Sequence, residues 1–218
     1  IADVNKPLLS YSYTKNTTST TFPVETIELE EISSGQKLVY SGGLIKKVSY
    51  PATNKKIVLY GDSITVAYDS LNYENKLKAK TNALSVFRKG VSGATFTGGL
   101  QSPTNIATIT AENPDIVIIH SVNDHRNGAI IGSMSDSEGT ASMIGGLKKI
   151  CNSLISANKN IKIILCTPLT YGEVAGYAGT SSIDIINGRF LHEYHQAMIN
   201  FALSYGITIV DLTTDCGF

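Results

Sequence analysis

The chain has 218 residues, 42% of them hydrophobic, and Lys plus Arg equals Asp plus Glu at 18 each, so the formal net charge is zero. That length suits one full domain with a small annex and carries enough apolar side chain to fill its core. Balanced charge without a dense basic run argues against nucleic acid as a partner, and no apolar run reaches the roughly eighteen residues needed to span a bilayer.

Cys151, Cys166 and Cys216 are too few and too scattered for a disulfide framework or a metal knuckle, and read as ordinary buried thiols. The first residue is Ile1 rather than Met, with no charged-then-apolar leader, so we expect a processed or excised piece whose export signal would be out of view. Low charge, abundant neutral polar residues and 11 Tyr match the composition of an extracellular, secreted or virion-associated protein.

Residues 1–53 read as a β-rich annex, or the end of a preceding β module. Thr26-Ile27-Glu28-Leu29-Glu30 alternates, and Lys37-Leu38-Val39-Tyr40, Ser41-Gly42-Gly43 and Leu44-Ile45 predict a hairpin. The run Pro51-Ala52-Thr53-Asn54 is the natural junction to a second unit, residues 54–218.

From Lys55 onward short apolar runs alternate with helical stretches, which predicts parallel strands joined by crossover helices. The runs are Ile57–Tyr60, Leu84–Phe87, Ile116–Ile119, Ile161–Leu165 and Ile207–Val210. Ser102-Pro103 predicts a helix cap followed by proline in the first turn, and Asn113-Pro114-Asp115 stops that helix. Met143, Leu147, Cys151, Leu154 and Ile155 repeat at helical spacing, as do Leu191, Tyr194, Met198, Ala202 and Tyr205; both stripes should face a core.

The most informative stretch is Ile57-Val58-Leu59-Tyr60-Gly61-Asp62-Ser63-Ile64-Thr65. A buried strand ends at a glycine and delivers a hydroxyl to the start of the next helix, beyond the carboxyl edge of the sheet where ligands bind in open α/β folds. Ser63 is thereby a candidate nucleophile, while Asp62 or Ser63 could equally serve as a helix cap. Two further loops, Gly90-Val91-Ser92-Gly93-Ala94-Thr95 and His120-Ser121-Val122-Asn123-Asp124-His125, should open on the same edge. Acyl transfer needs a hydroxyl and N–H donors aimed at an oxyanion, and Ser63, Gly93 and Asn123 have those types. Taken singly, Gly93 reads as a turn and Asn123 as a loop-closing side chain.

Together, Gly61-Asp62-Ser63-Ile64, Gly93 within Val91-Ser92-Gly93-Ala94-Thr95, and Asn123-Asp124 resemble the blocks of the SGNH, or GDSL, hydrolase superfamily in order and placement. The resemblance runs from about Lys55 to the end. It implies a three-layer α/β/α sandwich around five parallel strands, flavodoxin-like in type. It also implies Ser63 as nucleophile, with its own amide, the Gly93 amide and the Asn123 side chain as the oxyanion hole. The nucleophile elbow of ordinary α/β-hydrolases is absent, since position 65 is Thr rather than Gly.

Two departures stand out. Ser121 occupies a position where the family usually has Gly, which places a side chain close to the site. The family's closing Asp and His, three residues apart, have no counterpart, because no Asp in this sequence is followed by His at that spacing. We expect that block beyond Phe218. The alternatives are a displaced base, with His125 a better candidate than His120, or a module that has lost hydrolysis. His192 and His195 have no third ligand in sequence and read as polar helix surface, so no metal is expected, and no organic cofactor either.

The expected activity is therefore ester hydrolysis through an acyl-enzyme on a small-molecule or glycan substrate, with carbohydrate O-acetyl esters favoured. Tyr171-Gly172-Glu173-Val174-Ala175-Gly176-Tyr177 is a candidate sugar-lining loop. The rival expectation is a non-catalytic glycan-binding or adhesion module of a phage tail or cell surface.

Overall fold

A computed structural model describes residues 52–66, 73–168 and 190–212, together with the backbone of strands within 9–49 and 185–189. In the first part of the chain, β1 (Leu9–Lys15), β2 (Val24–Glu31), β3 (Gln36–Ser41) and β4 (Leu44–Ser49) form an antiparallel sheet in chain order. The expected hairpin is β3–β4: Ser41 pairs with Leu44, leaving Gly42-Gly43 as a two-residue turn.

The rest is built on five parallel strands: β5 (Lys56–Gly61), β6 (Ser85–Gly90), β7 (Ile116–His120), β8 (Lys162–Cys166) and, last in the chain, β11 (Thr208–Val210). Their order across the sheet is β11-β8-β7-β5-β6. The chain therefore reverses its direction of travel at β5, and the switch point lies between β5 and β7. Helices α1 (Ser63–Val66) and α2 (Tyr73–Thr81) follow β5, and α3 (Pro103–Thr110) follows β6. After β7 come α4 (Asn123–Arg126) and α5 (Met143–Ala157). A two-residue pair, β9 (Ile185–Ile186) with β10 (Arg189–Phe190), leads into α6 (Leu191–Tyr205).

Period-two alternation sorts the strand residues onto two faces. Val58, Tyr60, Val117, Ile119, Ile163 and Leu165 pack with Ile106 and Ile109 of α3, Leu147 and Leu154 of α5, and Met198 and Phe201 of α6. Ile57, Leu59 and Ile116 pack on the opposite face with Ala52 and Ala83, and Leu77 of α2 lies against them. Helices on both faces of a parallel sheet make the expected α/β/α sandwich.

Local chemistry sets the helix ends. Ser142 accepts the Gly145 amide at 3.1 Å at the start of α5, and Glu193 reaches back to the Phe190 amide at 2.7 Å at the start of α6. Gly206 closes α6 with φ of 64°, a left-handed conformation suited to glycine. Pro103 occupies the first turn of α3 as expected, but the Ser102 side chain makes no cap hydrogen bond.

Some expectations shift. Leu84 precedes β6 and is 56% exposed, and Ile155 lies at the exposed margin of the α5 stripe, which is buried at Met143, Leu147, Cys151 and Leu154. On α6, Leu191, Tyr194, Met198 and Ala202 are buried and Tyr205 is half-buried. Cys151 and Cys166 are buried free thiols. Cys216 and the loop 171–177 lie outside the described residues.

Candidate active site

Strand register brings the three loops to one edge. Gly61 pairs with Gly90 on one side and with His120 on the other, so the chain leaves β6, β5 and β7 at the same level. A side chain at Gly61 would overlap the His120 carbonyl and the Thr65 hydroxyl. At Gly90 a Cβ would come within 2.7 Å of the Val66 amide and 2.8 Å of the Asp62 carbonyl. Glycine at both positions lets the strands and α1 approach this closely. The Val91 amide then donates to the Gly61 carbonyl at 2.8 Å, tying the second loop to the first.

Asp62 is fully buried, and its carboxylate is the hub of the edge. One oxygen accepts the Ile64 amide at 2.9 Å, so Asp62 caps the short helix and leaves Ser63 half-buried at its first position. The other oxygen accepts the Val122 amide at 2.8 Å and the Ser121 hydroxyl at 3.2 Å, both from the loop after β7. Each lone-pair direction used has a donor, which offsets the cost of burying a carboxylate.

The third loop is tied to the second in the same manner. Asp124 accepts the Phe96 amide at 2.8 Å and the Thr97 amide at 3.2 Å. Burial pushes its carboxyl up to about 6, against the pull of those amides. Asn123 is buried, and its side-chain nitrogen donates to the Ala94 carbonyl at 3.1 Å, next to Gly93. Gly93 itself is exposed, with φ of 72° and open space where a Cβ would stand. Its glycine is needed for the left-handed backbone rather than for close approach.

The structure thus places Ser63 at the start of α1, Gly93 in the loop after β6 and Asn123 at the start of α4, on three segments that are hydrogen-bonded to one another. The Ser121 side chain does not narrow the opening: it is 1% exposed and turned inward between Asp62 and the Asn123 amide. The linking roles of Asp62, Ser121 and Asp124 leave no periodic signal. Their only trace in the sequence is that each follows directly on a strand end or on Asn123.

The histidines correct two expectations. His125 is a core residue of α4, 1% exposed and edge-on to Tyr194 with ring centroids 5.3 Å apart, not a loop residue. His195 is buried rather than on a polar surface, and it donates to the Pro168 carbonyl. Burial holds its imidazole below the ordinary value, with nearby Asp211 opposing. His192 is exposed. His120, on the sheet face that carries α2, is likewise lowered by burial and raised by Asp62. Among the described residues no group of three or more His, Cys, Asp or Glu is placed to hold a metal ion. Nor is any helix among them long and apolar enough to cross a membrane.

A family model for GDSL-like lipases and acylhydrolases matches residues 59–217. The chain belongs to this family. Solved structures share the fold. A protein from Lactobacillus plantarum superposes with a TM-score of 0.66 at 20% identity, over 76% of this chain and 80% of its own. A possible lipase from Chitinophaga pinensis gives 0.60 at 22% identity, over 73% and 68%. A catalytic mutant of an acetylxylan esterase from Geobacillus stearothermophilus gives 0.50 at 18% identity, over 74% and 78%. No curated protein matches the sequence. The five-stranded parallel sheet expected from the residues is part of the fold shared with these solved structures.

Proposed function

We propose that this GDSL-family chain is a serine esterase that hydrolyses O-acetyl esters on carbohydrates. The observation that carries the reading is the Asp62 carboxylate, which links the helix start bearing Ser63 to the loop bearing Asn123. A nucleophile and its oxyanion donors must keep a fixed mutual geometry through the reaction, and a buried carboxylate hydrogen-bonded through both oxygens to their two segments supports that rigidity.

In this reading the Ser63 oxygen attacks the ester carbonyl carbon, and the serine proton passes through a general base to the departing sugar hydroxyl. The oxyanion is held by the amides of Ser63 and Gly93 and by the Asn123 side chain. Water then hydrolyses the acyl-enzyme and regenerates the serine. The test is run on the full coding sequence. The preference for acetylated sugars is supported by the neutral polar composition and by the fold shared with an acetylxylan esterase.

The deciding experiment compares p-nitrophenyl acetate hydrolysis by the parent and by Ser63→Ala, followed by acetate release from acetylated xylo-oligosaccharides against a long-chain p-nitrophenyl ester. The expected result is activity that depends on Ser63 and favours the acetylated sugar. Equal rates for parent and Ser63→Ala would leave a binding module in place of an enzyme.

A further inference from the structure

We infer that Ser121 is a positioning residue for Asn123; the inference rests on the esterase reading above. Three observations carry it. First, the Ser121 hydroxyl is buried and doubly engaged: it donates to Asp62 at 3.2 Å and accepts the Asn123 amide at 3.4 Å. Second, Asn123 is the first residue of α4, so its amide is one of the donors that a helix start leaves without an intrahelical partner. The Ser121 oxygen is the acceptor that faces it. Third, the far side of Asn123 is fixed independently, through its side-chain nitrogen on the Ala94 carbonyl.

Asn123 is therefore held at two points, and Ser121 is one of them. A side-chain amide has two hydrogens. With one committed to Ala94, the other is aimed by the position of the Asn123 backbone, which Ser121 references to Asp62. Asp62 in turn is referenced to the helix start of Ser63 through the Ile64 amide. A serine at the end of β7 thus extends the carboxylate hub by one step, to the residue that supplies the side-chain donor.

A bland alternative is that the hydroxyl only satisfies its own burial. A double-mutant cycle on the full coding sequence separates the two, using the parent, Ser121→Ala, Asn123→Ala and the double variant on p-nitrophenyl acetate, with thermal unfolding of each. Positioning predicts a fall of about tenfold in kcat for Ser121→Ala at unchanged KM, since small displacements of an oriented group are costly, and little further loss once Asn123 is already Ala. Full additivity of the two losses, or an unchanged kcat, would overturn the inference. Ser121→Gly, which adds no atoms to the buried site, repeats the comparison should the Ala variant misfold.

Should Ser63→Ala prove as active as the parent, the esterase reading fails and the inference is read without turnover. Amide hydrogen exchange at Asn123 should then accelerate at least about tenfold in Ser121→Ala while Val122 keeps its protection from Asp62. Unchanged exchange at Asn123 would refute the positioning role.

Discussion

The carboxylate of Asp62 accepts the backbone amide of Val122 at 2.8 Å across 60 residues of sequence. That single bond joins the residue preceding the candidate nucleophile to the residue preceding Asn123. With the Ile64 amide and the Ser121 hydroxyl on the same carboxylate, it makes the relative placement of two loops a property of one side chain.

Replacing Asp62 by Asn tests this directly. An amide side chain has only one acceptor oxygen, so at least one of the three donors loses its partner and faces another donor. The expected cost is about 1–3 kcal/mol of stability, the range for a buried polar group left unsatisfied, read as a lower urea midpoint with an unchanged m-value. Esterase activity should fall further than stability alone explains. An unchanged midpoint would mean the carboxylate is not the hub.

Asp124 predicts a pH dependence of stability. Its folded carboxyl titrates near 6, above its ordinary value of 3.8, so the folded chain holds a proton that the unfolded chain has released. The protonated carboxyl therefore favours the fold below about pH 4, and that contribution is lost as pH rises through 6. At about 1.4 kcal/mol per unit the full change is roughly 3 kcal/mol. Asp124→Asn removes the titration, so the variant should gain on the parent between pH 4 and pH 7 in parallel thermal melts. A constant difference across that range would rule the shift out.

Three glycines should rank by the space each has. At Gly61 and Gly90 a methyl group meets backbone atoms of neighbouring elements, so alanine should destabilise by roughly 1–3 kcal/mol or more at each. At Gly93 nothing stands in the way, and alanine should incur only the left-handed backbone strain, about 1–2 kcal/mol. Chemical denaturation of the three variants gives the order. Gly93→Ala as the least stable of the set would contradict it.

The Tyr194 hydroxyl donates to the Ala129 carbonyl and fastens α6 to the loop after α4. Tyr194→Phe keeps the ring contact with His125 and leaves that carbonyl short of a donor. A loss of about 1 kcal/mol is expected, measured by thermal unfolding.

The strands were legible wherever they are central. Val58 and Val117 are fully buried, and continuous apolar runs announce β5 and β7. β6 is an edge strand, half-buried along its whole length, so its second half, Arg88-Lys89-Gly90, has no apolar signature and extends past the run that suggested it. Arg88 meets Glu74 at 3.1 Å, an ion pair with α2 that periodicity does not reveal. The candidate site divides along similar lines. Ser63, Gly93 and Asn123 follow strand ends and were readable from residue type and position. The buried carboxylates of Asp62 and Asp124 depend on partners from other segments, and the buried His195 meets Pro168 and Asp211 from other elements; neither leaves a local pattern.

The switch in sheet order has a kinetic consequence. β7 lies beside β5 but enters the chain after β6 and α3, so the carboxylate of Asp62 finds its Val122 partner only once a long intervening excursion has closed. Contacts of such separation are won slowly and against chain entropy. Refolding should therefore protect the Val122 amide in step with docking of the third sheet strand, so that the rim matures together with the sheet rather than ahead of it.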